Sequence, residues 1–198
     1  IARPFTGKKG KYRFTNEKCE YSVNPPSRSI LNSLKDKNYS VISIGKINDI
    51  FNGEGITKVV KSNHNNAEAI NKLMDIMEKN FTGLCMINLN DFDQLYGHNK
   101  DVEGYARCIE ELDVEIPLIL NKLADDDLLI ITADHGNDPT LSNSHTRENV
   151  PVIIYNRCLQ NPSKLDILNT LADVGATIAD NFGVMNPGIG TSFLDKLK

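Results

Sequence analysis

The sequence predicts an α/β fold with a mostly parallel sheet flanked by helices. Three observations lead to it. Short β-branched apolar runs alternate with segments of helical periodicity. Those runs are nearly continuous in apolar residues, as in strands covered on both faces. Residues with metal-ligating chemistry gather just past two of the runs, where open α/β sheets place their sites.

Element by element, residues 1–26 mix Gly7, Gly10, Pro25 and Pro26 with Lys8, Lys9, Lys11 and Arg13 and hold no sustained period, so loop and short strand are expected. Ser27 or Ser29 caps a helix to about Asp36, with Ile30, Leu31 and Leu34 on one face. Strands are expected over 41–45, 84–89, 128–132 and 152–155. Between them Ala67, Ile70, Leu73, Met74 and Met77 recur at helical spacing behind Asn66 as cap. A longer helix covers 102–124, where Pro117 should kink or split it. A last helix is expected over 163–182, burying Leu165, Leu168, Leu171, Ala172, Ala176 and Ala179.

A length of 198 residues suits one domain, and 40% hydrophobic composition supplies a core and excludes disorder. With 22 Lys+Arg against 26 Asp+Glu, the net charge of −4 offers no footprint for nucleic acid or an anionic membrane. No run approaches the roughly 20 apolar residues of a membrane span, and no basic-then-apolar leader opens the chain, so a cytoplasmic protein is expected. Cys19, Cys85, Cys108 and Cys158 are far apart without a CxxC pair, which argues against a zinc knuckle or disulfide framework. The chain opens Ile-Ala-Arg-Pro with no Met before Met74, so a fragment of a longer protein is expected.

Three of the four histidines lie in loops 90–98 and 133–148. Asp93, His98, Asp134, His135 and His145 offer two carboxylates and three imidazoles, the mixed donor set of a divalent cation. An Asp-His-Gly tripeptide alone is more often a turn with a helix cap than a metal site; the second Asp/His loop and His145 carry the metal reading. Asp134 and His135 share a site only where the strand has ended, and Gly136 lets the backbone turn close to an ion. Asp91 competes with Asp93, since the two flank Phe92 and point the same way if the segment is extended. His64 has no such company and reads as a solvated loop residue.

Thr132-Ala133-Asp134-His135-Gly136-Asn137-Asp138, then His145-Thr146-Arg147-Glu148 and Val150-Pro151, with Asp91-Phe92-Asp93 and Tyr96-Gly97-His98 upstream, resemble bacterial phosphopentomutases of the alkaline phosphatase superfamily. Ile1-Ala2-Arg3-Pro4-Phe5, Ile44-Gly45-Lys46-Ile47, Gly53-Glu54-Gly55, Phe81-Thr82-Gly83 and Gly190-Thr191-Ser192-Phe193-Leu194 resemble the family in the same order. The resemblance spans essentially the whole chain but only the C-terminal half of a full-length member. It implies an alkaline-phosphatase-like core lacking its N-terminal part, with residues 1–26 ending a cap domain and returning to the core, and 27–198 forming the C-terminal part of that core.

The implied activity interconverts ribose 5-phosphate and ribose 1-phosphate, and the 2-deoxyribose pair, through a phosphothreonine and two Mn2+ ions. Glucose 1,6-bisphosphate or a pentose bisphosphate is the implied activator. By motif, Asp134 and His135 would serve one metal, Asp93, His98 and His145 the other, and Lys46 would reach substrate phosphate. The ligand chemistry itself admits manganese, zinc or iron. Arg3 and Arg147 suit anions or structural ion pairs equally. The nucleophilic threonine and an aspartate ligand lie upstream of Ile1 in a full-length member. No threonine here, Thr132 and Thr146 included, matches the nucleophile's motif, so the chain alone is expected to be inactive and the N-terminal segment is an expected partner. Cofactor-independent phosphoglycerate mutase shares the Asp-His-Gly-Asn and Gly-His loops; the acid after Asn137, His-Thr-Arg-Glu and the Ile-Ala-Arg-Pro opening favour the pentose enzyme. Another superfamily phosphotransferase, or a non-catalytic metal-binding remnant, are the other readings.

Overall fold

The computed structural model describes residues 2–15, 17, 21–62, 65–159 and 164–197; Ile1, Cys19, His64 and Ser163 lie outside the described residues. Strands β1 (Phe5–Lys8) and β2 (Lys11–Phe14) form an exposed antiparallel hairpin in which the ring of Phe5 meets Tyr12 edge-on. Ser29, not Ser27, caps α1 (Ile30–Asp36), its N–H donating to Asn32 Oδ1 at 2.9 Å. Then come β3 (Ser40–Ile44), the short α2 (Ile47–Ile50), β4 (Lys58–Val60), α3 (Asn66–Met77) and β5 (Gly83–Ile87).

These three strands make one parallel sheet in the order β4-β3-β5, and its side chains sort by the period of two. Val41, Leu84 and Met86 meet Leu31 and Leu34 of α1 on one face, where Ile178 and Phe182 also pack. Ile42, Ile44, Cys85 and Ile87 meet Ala69, Leu73 and Ile76 of α3 on the other. Truncating a fully buried side chain such as Leu34 to Ala costs about 2–5 kcal/mol. An exposed pair such as Arg107–Glu103, 3.9 Å apart, contributes at most about 1 kcal/mol. The two apolar faces therefore hold the sheet, and surface charge does not.

The second half of the chain departs further from the sequence reading. Helix α4 (Val102–Lys122) runs unbroken through Pro117 as one element, with Cys108 and Ile119 buried. Strands β6 (Leu129–Thr132) and β7 (Val152–Tyr155) pair antiparallel, in a sheet of their own. Only the first three core strands are thus parallel to one another. Nor is every strand covered twice: β7 alternates, exposing Ile153 and Tyr155. Lys58–Val60 was not expected as a strand because three residues opening on Lys carry too little apolar signal. Asn65 rather than Asn66 caps α3, accepting from Glu68 N at 2.8 Å, since two adjacent asparagines are equivalent as caps until tertiary partners choose.

The last helix is shorter than its apolar stripe. Helix α5 spans Ala172–Asn181, and 164–170 is not helical. The Asp173 carboxylate reaches back to the N–H groups of Asn169 and Thr170, at 3.1 and 3.3 Å, and ends the helix there. Leu171 consequently stands exposed, while Ala176 and Ala179 are buried as expected. Asp173 also accepts Thr191 N at 2.8 Å, and Thr177 Oγ1 accepts Phe193 N at 3.0 Å, so the buried pair clasps the C-terminal segment. No helix among the described residues is long and apolar enough to cross a membrane.

The bond from Thr191 N, with those from Thr170 and Asn169, holds the Asp173 carboxyl below its ordinary range. A depressed folded value means that the stabilisation is complete above the unfolded value of about 3.9 and is lost as pH falls through the folded one. Asp173→Asn is expected to lower Tm at pH 7 and to flatten the acid limb of the Tm profile below about pH 4; an unchanged profile would show that the clasp contributes nothing.

Candidate metal centre

The first loop leaves β5 and enters a π-helical turn, Phe92–Gly97, in which His98 N donates to Asp93 O at 2.9 Å. That five-residue closure matters because residues five apart diverge by roughly 140° on an α-helix but stack on a π-turn. Asp93 and His98 therefore face the same way, with His98 Nε2 3.3 Å from Asp93 Oδ2. The turn also separates Asp93 from Asp91. Asp91 Oδ2 accepts from Asn66 N at 2.8 Å and Asp91 N donates to Asn66 Oδ1 at 3.1 Å, so Asp91 is engaged at the N-terminus of α3. The extended geometry that would have made the two acids equivalent is absent.

The second loop folds back on itself through an isolated bridge between Gly136 and Thr146. Thr146 N donates to Gly136 O at 3.0 Å, and Asp138 N donates to Thr146 Oγ1 at 2.9 Å. A Cβ at Gly136 would overlap Thr146 O, so glycine is needed for this approach. The bridge lays the ring of His145 on that of His135, centroids 3.6 Å apart and nearly parallel, with His98 5.3 Å from His145 on its own account. His145 Nε2 lies 3.3 Å from Asp93 Oδ1.

Asp93, His98 and His145 thus present one ligand atom each, all within 4.8 Å of one another. His135 stacks beside them, and Asp134, 64% exposed, sits with Oδ1 3.6 Å from His135 Nε2. Lys46 follows Gly45 at the carboxyl end of β3 and opens α2. Because β3 and β5 are parallel neighbours, Lys46 leaves the sheet at the end from which the 90–98 loop departs. Gly45, at φ +75°, makes that exit beside Asn88 O.

The hydrogen bonds around the rings decide their tautomers. His98 Nδ1 lies 2.8 Å from Asn143 O and His135 Nδ1 lies 3.2 Å from Gly136 O. A carbonyl oxygen only accepts, so each Nδ1 carries the proton and a neutral ring keeps its lone pair on Nε2. With a neutral His98 ring, that Nε2 lies 3.3 Å from Asp93 Oδ2, a donor pair suited to a cation. A carboxylate with two imidazole nitrogens suits a divalent first-row metal. Cys85 and Cys108 do not compete, because burial pushes both thiols up to about 11 and keeps them neutral. Sequence reasoning missed Asn137, whose Nδ2 donates to Asp93 Oδ1 at 3.0 Å; no periodicity or spacing marks a contact between loops so far apart in the chain.

A phosphoglycerate mutase from Leishmania mexicana, crystallised at low cobalt concentration, has a similar fold, with a TM-score of 0.60 at 19% identity. The match covers 82% of this chain and 38% of that one, so the chain spans well under half the length of that mutase. Residues 13–186 match the Metalloenzyme superfamily, a span that takes in the parallel sheet and both Asp/His loops, and the chain belongs to that superfamily.

Proposed function

We propose that this chain is the C-terminal, metal-holding part of a phosphopentomutase, a phosphotransferase that interconverts ribose 5-phosphate and ribose 1-phosphate and the 2-deoxyribose pair. The observation that carries the reading is the convergence of Asp93, His98 and His145 from two separate loops. In this reading those three residues hold one Mn2+, Asp134 and His135 contribute to a second, and glucose 1,6-bisphosphate or a pentose bisphosphate primes the enzyme. The bound metals would supply charge neutralisation and alignment of the phosphoryl oxygens. The chain's residues do the rest of the positioning: Asn143 O and Gly136 O hold the His98 and His135 rings, and Lys46 meets substrate phosphate as a point charge. The nucleophilic threonine is assigned to a segment outside these 198 residues, residues 1–26 to the return from a cap domain, and 27–198 to the core.

A phosphoglycerate mutase is the second reading, supported by the fold likeness and the Asp-His-Gly-Asn loop. Of the features favouring the pentose enzyme, Asp138 and the His-Thr-Arg-Glu segment touch, Asp138 N donating to Thr146 Oγ1, and the Ile-Ala-Arg-Pro opening is the third.

Calorimetric titration of the 198-residue chain with Mn2+ is expected to show binding that falls about 100-fold or more in Asp93→Ala and His145→Ala. Unchanged affinity in either variant would refute the metal assignment. With Mn2+ present, ribose 5-phosphate is expected to bind in preference to 3-phosphoglycerate, and Lys46→Ala to weaken it about tenfold or more. A preference for 3-phosphoglycerate would reverse the choice between mutases. The chain alone, given Mn2+ and glucose 1,6-bisphosphate, is expected to leave ribose 1-phosphate unconverted; turnover would place the nucleophile within it.

A further inference from the structure

We propose that Asn137 is the positioning residue of this centre: its amide holds the Asp93 carboxylate in the one rotation that presents an oxygen to each loop. The proposal rests on the reading that Asp93, His98 and His145 bind a divalent cation. Asn137 Nδ2 donates to Asp93 Oδ1 at 3.0 Å, and the same oxygen lies 3.3 Å from His145 Nε2. Asp93 Oδ2 is left 3.3 Å from His98 Nε2. Rotating the carboxylate would break the hydrogen bond from the amide and withdraw both oxygens from their imidazoles together.

Two features show that the amide is held in place by its surroundings. Among the described residues Asn137 Oδ1 is the buried side-chain polar atom left without a hydrogen-bond partner. Reversing the amide would turn that carbonyl oxygen toward the carboxylate and forfeit the donor, so the unpaired oxygen is the cost of keeping Nδ2 on Asp93. Gly97, in the first loop, is the second feature: a Cβ there would overlap Nδ2, Cγ and Oδ1 of Asn137. Gly97 directly precedes His98, so the residue that admits the amide adjoins a ligand. The backbone of Gly97 is not in the left-handed region, and room for Asn137, not conformational freedom, is what the missing side chain provides.

A loop-bridging amide with no role toward the ion would alter stability alone, whereas a positioning amide changes the ion's affinity and ligand field. The test is Mn2+ titration of the 198-residue chain, read by loss of the free-ion EPR signal, with Co2+ visible absorption as a second signature. Asn137→Ala is expected to weaken Mn2+ about 10- to 100-fold and to change the intensity of the Co2+ bands, with Tm shifted by only a few degrees. Gly97→Ala, which removes no polar group, is expected to give the same loss by displacing the amide. The double variant should bind like Asn137→Ala alone, because the vacated space accepts the methyl. Should Asn137→Ala fail to fold, Gly97→Ala decides. Full Mn2+ affinity with an unaltered Co2+ spectrum in either variant, or losses that multiply in the double, would overturn the proposal. Absence of Mn2+ binding by the unsubstituted chain is a different result, and it would remove the metal reading and the proposal with it.

Discussion

The Asp93 carboxylate stands where two separately hydrogen-bonded parts of the molecule meet. Strands β3, β4 and β5 form one sheet and β6 and β7 another, and among the described residues no ladder joins them. Yet Oδ2 faces His98 from the first loop, and Oδ1 faces His145 and Asn137 from the second. A half-buried carboxylate must be met by donors or by a cation. That requirement accounts for the direction of the Asn137 amide and for the gathering of imidazoles around one anion, while Asn143 O keeps the proton of His98 on Nδ1.

Close approach between the loops depends on local backbone devices. A π-turn puts Asp93 and His98 on one side. Gly136 allows the bridge that returns His145 to His135, ten residues earlier, and Gly97 leaves room for Asn137. The reciprocal bonds between Asp91 and Asn66 tie the start of the first loop to α3, whose Ala69, Leu73 and Ile76 pack on the sheet. The first of the two candidate ligand loops is thus anchored by hydrogen bonds to the helix that packs on the sheet.

Framework and site divide along polarity. Apolar clusters pack on both faces of the parallel sheet, while the side chains of His98 and His145 are nearly half exposed at its end. Ionised ligands carry a desolvation cost that grows with burial, so the rim of the sheet is where a carboxylate and several imidazoles cluster at least expense. Lys46 stands at that same rim because β3 and β5 run parallel.

The period of the apolar residues was enough to read β3, β5, β6, β7, α1, α3 and α4 from the sequence, and the Asp/His loops past β5 and β6 were legible as residues of one chemistry. These features are local: a short apolar run marks a strand whether one face or both are covered, and metal-ligating side chains are rare enough to stand out in a loop. The antiparallel pairing of β6 with β7, the unbroken course of α4 through Pro117 and the late start of α5 at Ala172 were set by tertiary partners. So was the choice of Asp93 over Asp91, which hangs on a π-turn and on a bond to Asn66, 25 residues away. The Asn137 contact joins residues 44 apart in the chain. Spacing along the chain records what neighbours in sequence do, but a side chain's orientation is decided by which distant group supplies its hydrogen-bond partner, and that partner exists only once the loops have come together.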